Sequence, residues 1–372
     1  MLATSLFRTT YKHILKPILF KFDAEFIHDT FVWTGTQLGR FSITQKLTSQ
    51  LFKYSNPILK HEVLGINFPN PIGLAAGFDK DARLMDILPA VGFGFEEIGS
   101  ITGEPCAGNS GKRLWRIPKA KALRVFYGLK NEGAEAIANK LAKKTFRFPI
   151  GVSVAKTNCP ATANPMAGIA DYVKAFKTMK DIGDYVTINI SCPNAFGGEP
   201  FTDPTSLDQL LTEIDKIETD KPIFLKIAVD LIESELDEVV RVCDQHRING
   251  FVCANLTKKV ENVQIAPDQI PEDSKGGISG LPVQKPSNKQ IAYLYRKCGD
   301  RYTIIGCGGV FSAEDAYEKI RLGASLVQLI TGMIFEGPQL IGEINKGLVE
   351  LLRKDGYESI SQAIGSAWDR QA

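Results

Sequence analysis

The sequence predicts an α/β fold, a (β/α)8 TIM barrel with a small helical segment at its N-terminus. Eight short apolar runs alternate with helical patterns from about residue 70 onward. Several of these runs lack polar alternation, as parallel strands covered on both faces do. The 372 residues, 44% of them hydrophobic and 23% charged, suit one barrel of about 250 residues with insertions.

Eight apolar runs are predicted as strands because they are short and bounded by turn-forming or helical segments. A series of strand–helix units without interruption favours a closed barrel over an open sheet. The predicted strands are Ile72–Ala76, Phe95–Gly99, Pro149–Val154, Tyr185–Ile190, Ile223–Ile227, Gly250–Ala254, Tyr302–Ile305 and Leu326–Ile330.

Helical periodicity is found between the strands. Ser206 is predicted to cap its helix, and Ser312 with the acidic residues after it is a good helix start. Two connections, Ser100–Phe148 and Leu256–Asn288, are too long for plain barrel loops and are predicted to cover an active site. The predicted helices are Asn131–Lys144, Ile169–Met179, Ser206–Ile217, Glu233–His246, Ser312–Leu322 and Pro338–Leu352.

The N-terminal segment, residues 1–45, differs from the barrel domain predicted for residues 46–372. Its first 22 residues are basic and contain no acid, and its apolar residues recur at helical spacing. No apolar run reaches the length of about 20 residues that spans a bilayer. Three interpretations remain open: a helical segment on a membrane surface, a helix pair packed on the barrel, or a cleaved targeting peptide.

Composition argues against several classes of protein. Net charge is +2, from 44 basic and 42 acidic residues, and no basic tract with interleaved aromatics suggests a nucleic-acid partner. The 7 cysteines form no CxxC and no Cys/His pair with zinc-like spacing, so no metal site is predicted. Their odd number in a large chain favours reduced thiols and a protein that is not secreted.

Two glycine-rich segments follow predicted strands seven and eight. Gly308 and Gly309 come directly after the seventh, and Thr331 and Gly332 follow the eighth. Loops at these positions of a barrel commonly bind phosphate through backbone N–H groups. Gly280, in the preceding long loop, could contribute in the same way. A phosphate-bearing ligand is therefore predicted, with ordinary turn glycines as the alternative.

Lys226 lies inside an apolar strand, where a lysine is rare unless it is paired. It could form a Schiff base in an aldolase-like barrel. It could instead supply positive charge to a flavin ring that becomes anionic on reduction. A third interpretation has it pointing out to solvent at the end of the sheet. Periodicity and position do not choose among the three.

Cys192 lies in a Pro-Asn turn after the fourth predicted strand, between Asn189 and Asn194. A lone cysteine is usually a small core residue. Two amides beside this one suit a ligand with alternating carbonyl and N–H groups. A thiol with a reference pKa near 8.5 can act as a base or acid if its surroundings help.

From about Leu59 to Gly356 the chain resembles the dihydroorotate dehydrogenase family. Several motifs carry the resemblance in the same order along the chain, and such a series is far more specific than any one of them. The N-terminal segment is similar to the membrane-associated, quinone-reducing branch of that family. The motifs are Gly73–Lys80, Gly92–Gly99, Asn189–Asn194, Lys226–Ala228, Gly276–Gly280, Ile304–Gly309 and Gly323–Gln328.

The resemblance implies an FMN enzyme that oxidises dihydroorotate, or a related cyclic amide, to orotate in pyrimidine biosynthesis and reduces a quinone. Cys192 would take the C5 proton while a hydride passes from C6 to the flavin, and Arg116 would lie on the quinone side. Lys80, Asn189, Asn194 and Asn255 would bind substrate. FMN would be held by Ala76, Gly77, Ser100, Ser153, Asn189, Lys226, Gly280, Gly308, Gly309, Thr331 and Gly332.

The resemblance also implies a peripheral membrane protein, on the cytoplasmic face of a bacterial membrane or on the mitochondrial inner membrane. Several positions depart from the family pattern. The quinone-reducing branch has serine where this chain has Cys192, and an asparagine and a threonine are replaced by Val125 and Leu256. Three rivals remain: a homologue acting on another dihydropyrimidine or ene-type substrate, a non-redox lyase or aldolase using Lys226, and a flavin-binding protein without catalysis.

Overall fold

Eight parallel strands close into a barrel in the computed structural model, which describes residues 2–259 and 265–369. Each strand pairs with the next along the chain, and the last pairs with the first. Residues 260–264 of the predicted loop, and residues 1 and 370–372 of the predicted domains, lie outside the described residues. The strands are β1 (Ile72–Leu74), β2 (Phe95–Thr102), β3 (Ile150–Ala155), β4 (Tyr185–Asn189), β5 (Ile223–Ile227), β6 (Gly250–Cys253), β7 (Thr303–Cys307) and β8 (Leu326–Leu329).

The eight predicted strands are confirmed, with small differences at their ends. Their residues are buried almost throughout because helices cover the outer face and side chains fill the interior. A hairpin of His61–Val63 and Ile66–Phe68 lies beside the N-terminal end of the barrel. The Phe68 ring packs edge-on against Phe95 at 5.3 Å between centroids, so this end of the barrel is closed by apolar contacts.

Ten helices of the described residues have eight or more residues. All six predicted helices are found. A four-residue helix, Leu88–Val91, stands between β1 and β2, and another short one, Thr331–Glu336, follows β8. The ten are α1 (Leu2–Thr10), α2 (Ala24–Gly39), α3 (Ser42–Phe52), α4 (Ala134–Leu141), α5 (Pro165–Met179), α6 (Pro204–Asp215), α7 (Glu233–Cys243), α8 (Gln284–Cys298), α9 (Ala313–Leu322) and α10 (Leu340–Lys354).

The prediction that Ser206 caps α6 is wrong. The helix begins at Pro204, and Asp203 is its N-cap, because the Asp203 carboxylate accepts a hydrogen bond of 2.9 Å from the Ser206 backbone N–H. Proline is favoured in the first turn, where its missing N–H is not needed. Ser206 therefore receives the cap rather than providing it. By contrast, Ser312 caps α9 as predicted.

We expect Asp203→Ala to lower the free energy of unfolding by about 1 kcal/mol, the usual cost of losing an N-cap. Ser206→Ala is the matched control and should change stability by less than half of that, because only its backbone N–H takes part in the cap. Urea denaturation followed by circular dichroism measures both. An equal loss in the two variants would contradict Asp203 as the cap.

The two long connections meet in a small sheet above the barrel. Leu114–Ile117 and Ala122–Val125, from the first connection, pair antiparallel, and Gly277–Gly280 of the second adds a third strand. The loop predicted for Leu256–Asn288 therefore contains a strand and the start of α8. The glycines and prolines of this connection are typical of a loop. The strand Gly277–Gly280 was not predicted because the strand with which it pairs lies some 150 residues away in sequence.

The N-terminal segment packs against the barrel beside the small sheet. A π-helical turn, Tyr11–Leu15, continues α1 and leads into the turn Lys16–Leu19. The Tyr11 hydroxyl donates to the Ile334 carbonyl at 2.8 Å. The predicted boundary between residues 45 and 46 falls within α3. Among the described residues, no helix has both the length and the apolar character needed to cross a membrane.

Candidate functional site

A first cavity, the rim cavity, lies at the carboxyl ends of the strands beneath the small sheet. It collects predicted residues from both ends of the sequence, because the carboxyl ends of all parallel barrel strands lie on one rim. The predicted residues that line it are Ala76, Gly77, Lys226, Asn255, Gly280, Gly308, Gly309, Thr331 and Gly332.

A second cavity, the inner cavity, adjoins the rim cavity. Lys80, Ser100, Asn189, Cys192 and Asn194 line it. Seven residues line both cavities, and four of them are predicted site residues, so the residues predicted for cofactor and for substrate meet at one place. The four are Ala76, Gly77, Lys226 and Asn255, and the other three are Val125, Tyr127 and Leu256.

Asparagine side chains organise the wall of the inner cavity. Asn189 donates from Nδ2 to Ser100 Oγ at 2.8 Å, and its Oδ1 accepts from the Ser191 backbone N–H at 3.2 Å. Asn255 Nδ2 donates to the Ser191 carbonyl at 2.8 Å. Asn194 Nδ2 donates to the Val125 carbonyl at 2.9 Å. Each amide thus has a fixed orientation. In Asn189 and Asn255 both the nitrogen and the oxygen already have protein partners, so a ligand would use the N–H groups and lone pairs that remain on these atoms.

Lys226 is buried, with 3% of its surface exposed, and its position on β5 is paired with Asn189 of β4. The interpretation in which it points out to solvent is wrong, because it lines both cavities. In the described part of the chain its ammonium group has no hydrogen-bond or ion-pair partner among protein side chains. An anionic or electron-rich ligand would offset the free-energy cost of burying this cation.

Lys80 lies at the opposite wall of the inner cavity. Its Nζ is 4.0 Å from the centroid of the Tyr127 ring, a cation–π contact. Burial lowers the pKa of Lys80 to about 8, and Asp29 only partly opposes this. At neutral pH the side chain is therefore a cation, suited to a carboxylate ligand.

The environment of Cys192 does not help the thiol to ionise. Burial raises the pKa of Cys192 to about 11, while the backbone N–H of Asn194 and the cations of Lys156 and Lys258 lower it. The condition stated for Cys192 as a base, that its surroundings help the thiol to ionise, is therefore not met in the protein without a ligand. At neutral pH only a small fraction of Cys192 is thiolate, so base catalysis should become faster as the pH rises.

The rim cavity fits a phosphate-bearing flavin nucleotide. Gly77 has φ +109°, and a Cβ added there would meet only Ile330 Cδ1, at 3.9 Å, so it would project into the cavity. Gly308 and Gly309 also have positive φ. The short helix Thr331–Glu336 begins after Ile330, which has no side-chain oxygen to cap it. Its first N–H groups are thus available to an anion.

A third cavity, the helical cavity, connects the rim cavity to the N-terminal helices. Arg116 lines it, together with apolar residues of α2 and of the small sheet. The Arg116 guanidinium donates to the Phe22 carbonyl at 2.8 Å and lies 4.7 Å from the Phe20 ring. His28, Phe78, Leu114, Leu123 and Ile334 line both the helical and the rim cavities.

Three residues that were not predicted from the sequence also lie at the site. Tyr127 and His28 line the cavities but carry no motif, and nothing in the sequence links them to Lys80 or Phe78. His28 Nε2 lies 2.9 Å from the Phe78 carbonyl. Ser279, whose Oγ is 3.0 Å from Thr331 Oγ1, could have been found, because it belongs to the glycine-rich segment that contains Gly280.

One predicted residue is not brought to a cavity wall. Ser153 is fully buried behind Ser100, with 2.7 Å between the two hydroxyl oxygens. It would act on a cofactor only through Ser100. Val125 and Leu256, the departures from the family pattern, both line the inner cavity, so the cavity has apolar surface where amide and hydroxyl groups were expected.

Comparisons with known proteins agree with this geometry. A family model described as dihydroorotate dehydrogenase matches residues 58–352. A dihydroorotate dehydrogenase (quinone) of Christiangramia forsetii is 39% identical, with 91% of this chain and 99% of the relative covered. One of Nostoc punctiforme is 36% identical, with 95% and 97% covered.

Solved structures show the same arrangement. The crystal structure of the dihydroorotate dehydrogenase of Eimeria tenella in complex with ferulenol has a TM-score of 0.80 at 27% identity, covering 94% of this chain and 96% of that one. The match covers most of this chain. With the family model and the close relatives, it establishes that the chain belongs to the dihydroorotate dehydrogenase family, whose members are oxidoreductases acting on CH–CH bonds.

Proposed function

We propose that this protein oxidises dihydroorotate to orotate with FMN as its cofactor and transfers the electrons to a quinone. One observation carries the proposal: Lys226, a buried cation with no hydrogen-bond or ion-pair partner among the residues that the structure describes, lies where the rim cavity meets the inner cavity. Relatives over 30% identical along nearly the full chain are named for this reaction.

The residues divide into two groups in this proposal. FMN, when bound, would supply the hydride-accepting and electron-transferring chemistry. Gly280, Gly308, Gly309, Thr331 and Gly332 hold its phosphate, while Ala76, Gly77 and Ser100 hold the ring system and Ser153 supports Ser100. Lys226 offsets negative charge on the reduced ring.

The inner cavity binds the substrate. Lys80 attracts the carboxylate, and the amides of Asn189, Asn194 and Asn255 pair with the carbonyl and N–H groups of the ring. Cys192 accepts the proton from C5. Because this removes one proton as the hydride leaves C6, a C–C single bond becomes a double bond and the charges balance.

The decisive experiment mixes the purified protein with dihydroorotate under anaerobic conditions and follows the flavin absorbance near 450 nm. We expect rapid bleaching with dihydroorotate, little with dihydrouracil, and recovery of the colour on adding a quinone. Faster bleaching by dihydrouracil would favour the rival substrate. A colourless protein that forms a borohydride-stable adduct at Lys226 would instead establish the lyase.

Lys80 makes substrate binding depend on pH. Because burial lowers its pKa to about 8, the cation is present below that pH and is lost above it. We expect the Kd for orotate, measured from the flavin spectrum, to rise by up to about tenfold between pH 8 and pH 9, since one protonation controls the charge. Lys80→Gln should bind weakly at both pH values. An equal pH dependence in that variant would contradict the assignment.

The helical cavity is proposed as the quinone site. Arg116 offers a cation at an otherwise apolar wall, a suitable partner for a quinone carbonyl. We expect Arg116→Met to raise the KM for a short-chain quinone about tenfold or more and to leave reduction of a soluble dye unchanged. Arg124→Met is the control, because Arg124 lies on the neighbouring strand and donates instead to the Gly276 carbonyl. Equal effects in both assays would argue against this site.

Peripheral membrane association is proposed for the N-terminal segment, residues 1–45, and the adjoining part of α3. Of the 18 exposed large hydrophobic side chains found in the described residues, 13 lie between Leu6 and Leu51. An apolar surface of this density on one segment is typical of a binding interface. Flotation with phosphatidylglycerol vesicles tests it: replacing Phe26 and Trp33 with serine should reduce binding, whereas Leu64→Ser and Met166→Ser should not.

A further inference from the structure

Lys156 is the first residue after β3. The neighbouring strand, β4, leads to Cys192. Only 3% of its surface is exposed. Strands β3 and β4 are paired up to Val154 and Ile188, so Lys156 and Cys192 leave the barrel side by side at its carboxyl rim. The proposed function assigns no role to Lys156, although burying a lysine ammonium costs free energy.

The side chain of Lys156 anchors the loop that carries Cys192. Its Nζ donates a 2.6 Å hydrogen bond to the Phe196 carbonyl. Two residues further along the same connection, Asn158 Oδ1 accepts a 2.8 Å hydrogen bond from the Phe196 N–H. The backbone C=O and N–H of Phe196, a residue of the loop that carries Cys192, are therefore both hydrogen-bonded to side chains of the segment after β3.

Lys156 has no carboxylate partner among the described residues. Asp171 of α5, the acid that acts on the pKa of Lys156, already accepts hydrogen bonds from the Thr157 backbone N–H and hydroxyl. Burial lowers the pKa of Lys156, and the largest opposing influence is Cys192, ahead of Cys159 and Asp171. The Phe196 contact and this influence on the pKa both link the ammonium to the loop that carries Cys192.

The other charged groups near Cys192 come from two further elements. Glu199 lies in the same loop and raises the pKa of the thiol, whereas Lys258, after β6, lowers it less than Lys156 does. Lys258 is exposed, so solvent screens its charge. Lys156 is the buried cation, and its charge acts on the sulfur with less screening.

We infer that Lys156 is a positioning residue that holds the Cys192 loop against the barrel and stabilises the Cys192 thiolate through its positive charge. Only the use of that thiolate as a base rests on the proposed function. The proton moves from substrate carbon to sulfur, and Lys156 keeps its own proton throughout. Its loss should therefore make Cys192 a less available base without removing any group that touches the substrate.

The test measures the rate at which iodoacetamide alkylates Cys192 in the full-length protein with its flavin bound, using peptide mass spectrometry. Only the thiolate reacts. Lys156→Gln keeps a donor for the Phe196 carbonyl and removes the charge. We expect the rate at pH 8, where only a small fraction of the thiol is ionised, to fall about tenfold, the effect of about one pKa unit. Lys156→Arg should stay within about threefold of wild type.

The direction of the change separates charge from accessibility, because loss of the charge slows alkylation whereas a loosened loop speeds it. Lys156→Met serves if the glutamine variant does not fold, and Lys258→Gln should change the rate less than twofold. An unchanged or faster rate in the folded neutral variants would overturn the inference and leave Lys156 a structural anchor. Alkylation requires no turnover, so a failure of the proposed function, seen as no bleaching by dihydroorotate, is a separate result.

Discussion

Cys192→Ala should lower kcat for dihydroorotate by about 100-fold or more while the protein keeps its FMN. General-base groups contribute about 10²–10⁴-fold to rates, and Cys192 is the titratable side chain of its loop that lines the inner cavity. The variant leaves the glycines of the rim cavity untouched. Flavin absorbance of the purified variant and stopped-flow reduction measure the two effects separately.

The matched control is Cys159→Ala. Cys159 is also partly buried and lies near Lys156, but it does not line the inner cavity. It should reduce flavin at a rate close to wild type. The rate of the wild-type enzyme should also rise with pH at saturating substrate, because burial raises the pKa of Cys192 to about 11. A Cys192→Ala enzyme with undiminished kcat would exclude the thiol as the base.

Lys226→Met should slow reduction of bound flavin by about 100-fold, since losing one preorganised electrostatic group at a developing charge costs about 10²–10³ in rate. It should also weaken FMN binding. The apoprotein should be no less stable than wild type, because the substitution removes a buried cation that has no protein partner in the described residues. Anaerobic stopped-flow, FMN titration of the apoprotein and urea denaturation measure the three quantities.

Lys319 provides a control for the loss of a buried lysine. It is fully buried, but its ammonium donates to Ser287 Oγ at 2.9 Å and to Asn288 Oδ1 at 2.7 Å, away from the cavities. Lys319→Met should therefore lower stability, by about 1–3 kcal/mol, and should affect flavin reduction far less than Lys226→Met. Should both variants lose stability equally and reduce flavin equally slowly, a specific role for Lys226 would be ruled out.

The strands could be predicted because buried strands consist mainly of apolar residues. Ile223–Ile227 is apolar at all but one position, as a strand covered on both faces must be. Ser206 was mistaken for a cap because Asp203, Pro204 and Ser206 are all typical of a helix start. Only the backbone geometry distinguishes which of the polar side chains accepts the hydrogen bond.

The rim residues could also be predicted, because one topological rule places every strand end on the same rim. That rule locates Gly308, Lys226 and Cys192 near one another without any contact being known. It does not say which residues from the long connections cover them. Tyr127 reaches Lys80 because the small sheet is built from segments far apart in sequence.

By itself the sequence determined the barrel, the residues at its rim and the motifs that resemble the family, since these depend on patterns along the chain. Only the tertiary structure decided the electrostatics: that Lys226 is buried without a hydrogen-bond or ion-pair partner in the described residues, that Lys80 has a pKa of about 8, and that the charge of Lys156 acts on Cys192. The reason is physical. Periodicity reports which face of an element is buried, whereas a pKa depends on desolvation and on charges brought close by folding.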